Sequence, residues 1–239
     1  IVIEPAWPAY RQCAINAGIK VRSIKTTLED KWEPNIDEIL ACVNDNTKMI
    51  VLNYPNNPTG KILPRSLQDQ IIDISKKHDL YILSDEIYSN YSNGEWKSVL
   101  SYNYDKTIVT QSFSKSHSMT GYRIGYAVSS QEIIEKMVKL EALCLTNVSE
   151  PIQYTAMSTL EDDVSNNMKI INERLTKLQE ICEEMGLEFL VPDGAMYVFA
   201  RTKNPINASE FSEELLNHGV AIAPGIGFGD YNEFFRISA

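Results

Sequence analysis

Histidine and cysteine are scarce in this chain, with three His (His78, His117, His218) and four Cys (Cys13, Cys42, Cys144, Cys182), all far apart. Without paired-ligand spacing, a structural zinc site is not expected. Scattered thiols fit a reducing cytoplasm, each cysteine serving as a small core residue. No apolar run approaches the roughly 20 residues of a membrane-spanning helix, and no signal-peptide pattern is present. Positive charge is also short, with 22 Lys and Arg against 32 Asp and Glu for a net charge of −10. That balance argues against nucleic acid or an anionic membrane as main partner and leaves room for a local basic site. The first strand is not followed by a GxGxxG motif, so a nucleotide-binding dehydrogenase lacks its phosphate loop. There is no internal repeat and no low-complexity tract.

What is present is an ordinary globular composition, 44% hydrophobic and 23% charged, in 239 residues, long enough for one large domain or two. Val2–Ile3 reads as a strand running into Pro5–Ala6–Trp7–Pro8, and a helix from Ala9 is expected to end at Gly18. Lys20–Lys25 follows as a strand, then a helix with Ile36, Ile39, Leu40 and Val43 on one face. Lys48–Asn53 is almost continuously apolar, as in a parallel sheet buried on both faces. A surface helix over Ser66–His78 leads to a strand at Leu80–Ser84, and Thr107–Thr110 and Tyr126–Val128 complete the β-rich runs of this half. Gln131–Asn147 is expected to be a helix with Ile133, Met137, Leu140 and Cys144 inward. Ser165–Met185 is the longest helix, closed by Gly186.

Beyond Gly186 the pattern shifts to strands Leu187–Val191, Met196–Ala200, Val220–Ala223 and Phe234–Ser238 around a helix over Ser209–His218. We expect residues 1–165 to form a large α/β domain on a mostly parallel sheet and residues 166–239 a smaller α+β domain. The chain starts inside an apolar strand without an initiator methionine and stops at strand-like Ile237–Ser238–Ala239. It is expected to be an internal portion of a longer protein.

Four polar positions on or just after β-rich runs are candidates for chemistry. Lys115 follows Thr107–Thr110 among small hydroxyl residues; alone it reads first as a solvated loop lysine, and the other reading is a buried amine able to attack a carbonyl. Asn57 lies in the turn-rich Asn56–Asn57–Pro58–Thr59–Gly60, at a strand's carboxyl end where open α/β sheets place ligands. Asp85 ends its strand either as a helix cap or as a functional anion. Arg236, on an apolar strand, suits a structural salt bridge or a bidentate grip on a carboxylate. His117 and Glu86 are read as bland, Glu86 being structural or solvent-facing, and Gly225–Gly229 as a flexible loop without phosphate-loop context.

Ser112–Phe113–Ser114–Lys115 with Gly121–Tyr122–Arg123–Ile124–Gly125 resembles the cofactor-lysine signature of the class I/II aminotransferases, fold-type-I pyridoxal 5'-phosphate (PLP) enzymes. Pro5–Ala6–Trp7–Pro8, Asn56–Gly60, Ser84–Tyr88, Pro192–Tyr197 and Phe235–Ser238 resemble further family motifs, in family order across essentially the whole chain. The resemblance implies a three-layer α/β/α large domain lacking its N-terminal part and a small domain lacking its final helix. It implies Lys115 as the Schiff-base lysine, Asp85 at the ring nitrogen, and Tyr88 and Asn57 at the ring oxygen. Ser112 and Arg123 would hold the phosphate, Arg236 with Asn57 the substrate carboxylate, and Trp7 would lie beside cofactor and substrate. The implied activity is ping-pong transfer of an amino group between an L-amino acid and a 2-oxo acid in a cytoplasmic homodimer, with no nucleic acid, membrane or metal. A carbon–sulfur β-lyase shares every one of these motifs, and a PLP-binding regulatory domain is the reading from another class.

Overall fold

The computed structural model describes all of residues 1–239. In chain order the first half holds β1 (Val2–Glu4), α1 (Pro8–Asn16), β2 (Ser23–Lys25), α2 (Ile36–Cys42), β3 (Met49–Asn53), α3 (Arg65–Lys77), β4 (Tyr81–Asp85), β5 (Thr107–Ser112) and the single-turn α4 (Phe113–Ser116). The second half holds β6 (Gly125–Val128), α5 (Gln131–Cys144), α6 (Glu150–Ser158), α7 (Ser165–Glu184), β7 (Leu187–Phe189), β8 (Tyr197–Thr202), α8 (Ala208–Asn217), β9 (Ala223–Pro224) and β10 (Phe234–Ser238).

Six strands form one sheet in the order β2-β1-β3-β4-β5-β6. Neighbours run parallel except β6, which returns antiparallel to β5. The apolar runs of β3 and β4 are interior strands, and Ile50 and Ile82 are fully buried with Ile71 and Ile72 of α3. Burying side chains of this size stabilises each by about 1.5–3 kcal/mol relative to exposure. Register then aligns the strand ends: Asn53 pairs with Asp85, and Asp85 with Thr110. Three polar residues on three sequence-distant strands therefore meet along the carboxyl edge.

The β5–β6 pairing needs Gly125, because a Cβ there would lie 2.5 Å from the Gln111 carbonyl oxygen. Capping fixes other boundaries. Asn35 accepts the Asp37 amide at 2.8 Å to start α2, and Asn207 accepts the Ser209 amide at 3.0 Å to start α8.

The last four strands form a separate antiparallel sheet, β7-β8-β10-β9, packed with α7 and α8 through Leu175, Cys182, Val198, Ala208 and Phe235. An aromatic cluster joins the two halves: Trp32, which follows β2, packs with Phe199, Phe228, Tyr231 and Phe234. A second join is the turn at Gly60, whose carbonyl accepts the Gly194 amide at 2.9 Å.

Several expectations fail locally. α5 has the expected amphipathic stripe, yet buries no residue, and Leu140, Leu143 and Cys144 are exposed. Periodicity marks an apolar face, but nothing within these 239 residues forms the wall that face would meet. Cys13 is likewise exposed, so only Cys182 of the four thiols is a fully buried core residue. Met185 projects from the end of α7. Gly225–Phe228 is a 3-10 turn with Gly225 and Phe228 buried, in place of the expected flexible loop.

Candidate active site

The polar strand ends and the loops after them converge on one face. β5 delivers Ser112 and then Lys115 one turn into α4. That turn starts because the Ser112 hydroxyl caps it, accepting the Ser114 amide at 3.0 Å and donating to the Ile124 carbonyl at 3.3 Å. The Lys115 backbone is held by the Tyr91 hydroxyl, which donates to its carbonyl at 2.8 Å. Its half-buried side chain places Nζ 5.9 Å from the Tyr88 ring centroid.

From Lys115 a continuous set of contacts runs to the second sheet. The Tyr88 and Tyr197 hydroxyls are 2.7 Å apart in a buried hydrogen bond, with the rings edge to face. Burial, then the neighbouring Tyr197 phenol, push the Tyr88 pKa far up, so it stays protonated. The Arg236 guanidinium lies 4.4 Å from the Tyr197 ring centroid and 5.1 Å from that of Phe228. Its Nη1 donates to Asn57 Oδ1 at 2.9 Å, while its Nε is buried without any partner. A desolvated donor left unpaired costs about 1–3 kcal/mol, which an arriving acceptor recovers. The expected residues Lys115, Tyr88, Asn57 and Arg236 are thus brought together. Tyr197, quoted in a motif but given no role, links them.

Asp85 lies at the end of β4, beside Asn53, whose Nδ2 donates to the Asp85 carbonyl at 3.1 Å. Burial pushes the Asp85 pKa up, and a hydrogen bond from Tyr10 opposes it, followed by the Ile87 amide and Thr110. Tyr10 Oη donates to Asp85 Oδ2 at 2.5 Å. Sequence reasoning missed Tyr10; the only local signal was its place one turn after Trp7. Trp7 precedes α1 and is 43% exposed. Arg123 is exposed in the turn after Lys115, with Nη1 donating to the Thr120 carbonyl at 2.9 Å.

Glu86 turns away from this face and is buried, accepting from Ser84 Oγ at 3.1 Å and the Val99 amide at 3.0 Å. His117 is engaged structurally, with Nδ1 against Ser116 Oγ at 2.8 Å and Nε2 against the Thr159 carbonyl at 3.1 Å.

Charge gives the face its character. The chain is strongly acidic, yet no carboxylate pairs with Lys115, Arg123 or Arg236. Cations without a carboxylate partner, one of them with an unsatisfied guanidinium nitrogen, suit an anionic ligand.

The class I and II aminotransferase family matches residues 1–239. The chain is 34% identical to the aspartate aminotransferase of Thermococcus kodakarensis over 240 residues, covering 99% of this chain and 63% of that protein. It is 32% identical to aromatic-amino-acid aminotransferase 2 of Thermococcus litoralis over 254 residues, covering 100% of this chain and 64% of that one. The crystal structure of an aspartate aminotransferase from Thermotoga maritima superposes with a TM-score of 0.94 at 32% identity, covering 99% of this chain and 64% of the other. The chain therefore spans just under two thirds of the length of these relatives. Both the sequence match over its full length and the shared fold show that the chain belongs to the class I and II aminotransferase family.

Proposed function

We propose that this chain carries the cofactor lysine and the carboxylate-binding arginine of a PLP-dependent aminotransferase that moves an amino group between an L-amino acid and a 2-oxo acid. The observation that carries the reading is the unpaired, half-occupied guanidinium of Arg236, joined through Tyr197 and Tyr88 to Lys115. The similar proteins are named as aminotransferases or a transaminase, which supports transamination over β-elimination.

The residues present fit PLP. Lys115 would supply an amine, Asp85 a carboxylate for the ring nitrogen, and Tyr88 and Asn57 donors for the ring oxygen. Ser112 and Arg123 would supply a hydroxyl and a guanidinium for the phosphate, and Trp7 would border cofactor and substrate. When bound, PLP supplies an electron sink for the bonds at the substrate α-carbon.

The chain's own groups do the rest. Arg236 grips the substrate carboxylate with the donors that Asn57 leaves free, fixing the α-carbon in place. The Lys115 amine takes the α-proton and returns one on the product side, as a positioned base worth about 10²–10⁴-fold. Asp85 in its ionised form keeps negative charge at the inner end of the site, and the Tyr88 phenol, held protonated by burial, acts only as a donor.

Residues 1–165 and 166–239 are proposed as the large and small domains, supported by the two sheets and their separate apolar clusters. A homodimer rests on the family resemblance. A cytoplasmic location is supported by four free thiols. The test is borohydride reduction of the full-length protein with PLP, followed by peptide mapping. A pyridoxyl label on Lys115, absent from Lys115→Ala together with all transamination, is expected; a label elsewhere, or turnover by the variant, refutes the reading.

A further inference from the structure

Tyr10 belongs to none of the chemistry assigned above, yet its hydroxyl meets Asp85 at 2.5 Å across 75 residues of sequence. α1 buries no residue fully, and its start is set by Pro8 in the first turn. The Tyr10 phenol is enclosed by its surroundings and, within them, directed at the carboxylate.

That carboxylate is in a poor environment for a charge. Burial raises its pKa, so without help it moves toward the protonated, neutral form. The groups facing it are few. On its own segment lie Glu86, whose charge is of the same sign, and Tyr88, whose pKa the Asp85 charge helps to raise. From β5 comes Thr110, and from β3 comes Asn53, which is spent on the Asp85 main-chain carbonyl. No lysine, arginine or histidine pairs with Asp85. Tyr10 is the foremost influence favouring the anion. Its own pKa is pushed well above the ordinary phenol value, by burial first and then by Asp85, so it only donates.

We propose that Tyr10 is a positioning residue for the proposed reaction, its phenol holding the Asp85 carboxylate charged and in one orientation. The choice of donor matters physically. A lysine or arginine in its place would also favour the anion, but would cancel its field. A neutral phenol stabilises the carboxylate and leaves the full negative charge to act on a cationic ring. The inference rests on the reading of Asp85 as the partner of the cofactor's ring nitrogen.

The experiment uses the full-length protein freed of cofactor, with carbon-13 in its aspartate carboxyls and the Asp85 resonance assigned by its loss in Asp85→Asn. Tyr10→Phe removes only the hydroxyl. It is expected to move the Asp85 titration midpoint to higher pH, by about tenfold in proton affinity, the size of one charge-assisted hydrogen bond. A fluorinated, more acidic tyrosine at position 10 preserves the shape and is expected to move the midpoint the other way, which keeps the test open if the Phe variant folds poorly. With cofactor bound, Tyr10→Phe is expected to lower kcat more than it raises KM. An Asp85 midpoint unmoved by either replacement overturns the proposal, whatever happens to stability. Because this titration needs neither cofactor nor turnover, it decides the role of Tyr10 independently of whether borohydride labels Lys115.

Discussion

Replacing Arg236 by lysine keeps the charge and removes the fork. In the structure the guanidinium is held from three sides: Nη1 by Asn57 Oδ1 at 2.9 Å, and its plane by the Tyr197 and Phe228 rings at 4.4 and 5.1 Å. Nε is buried with no partner of its own, and the second amino group makes no hydrogen bond within the chain, so donors remain for a ligand. A lysine ammonium has no plane to stack and cannot present two parallel donors, so at least one charge-assisted hydrogen bond to the substrate carboxylate is lost. Such a bond contributes about 1.5–3 kcal/mol, which converts to roughly 10–150-fold in binding. The carboxylate is held equally before and during proton transfer, so the loss is expected in KM, with kcat changing little. Steady-state kinetics with the best amino donor, alongside thermal unfolding to confirm an intact fold, read this directly. Arg236→Gln, which also removes the charge, is expected to be worse than Arg236→Lys. A KM for Arg236→Lys within about twofold of wild type, less than 0.5 kcal/mol, would show that Arg236 does not hold the carboxylate.

Two further outcomes concern the frame around the site. Gly60 has φ +70°, and a Cβ there would lie 2.4 Å from Pro192 Cβ and 2.8 Å from the Gly194 carbonyl oxygen. Gly60→Ala adds overpacking of about 1–3 kcal/mol to a left-handed backbone cost of about 1–2 kcal/mol; urea unfolding should show the sum, and a loss below about 0.5 kcal/mol would mean the two loops separate freely. Glu86 is buried, and burial raises its pKa above the unfolded value, so the native state binds more protons in the window between the two. Stability contributed by the protonated form is full below the unfolded pKa and is lost as pH rises toward the folded pKa. Glu86→Gln should flatten that part of the stability–pH curve in denaturant titrations; an unchanged slope would assign it to other groups.

The legible parts of this molecule are those where a residue's role depends on its own strand. The apolar runs of β3 and β4 announce a parallel sheet, and parallel register then brings Asn53, Asp85 and Thr110 together without further information. The Lys115 turn is equally local, since Ser112 caps it from two residues away. What the sequence could not show are contacts that exist only after folding. Tyr10 meets Asp85 across 75 residues and Tyr197 meets Tyr88 across 109, and neither tyrosine differs in local pattern from the other ten in the chain. α5 fails for a related reason: its periodicity locates an apolar face, whereas burial depends on what lies opposite.

The same distinction explains how the site is divided. Asp85 ends β4, and Lys115 sits in the single turn that Ser112 caps directly after the neighbouring β5, so the first sheet and one local cap carry both. Arg236 comes from the second sheet, and its side chain is linked to them by way of Asn57 on one side and the Tyr197–Tyr88 pair on the other. Beyond the joins made by the Trp32 cluster and the Gly60–Gly194 bond, the proposed carboxylate grip is linked to the proposed amine by side-chain contacts, whereas Lys115 itself is held by the α4 turn and the Tyr91 hydroxyl. Substitutions at Asn57 or Tyr197 should accordingly act on substrate binding before they act on the lysine's chemistry, because neither side chain bonds to the α4 turn that carries Lys115 or to the Asp85 carboxylate.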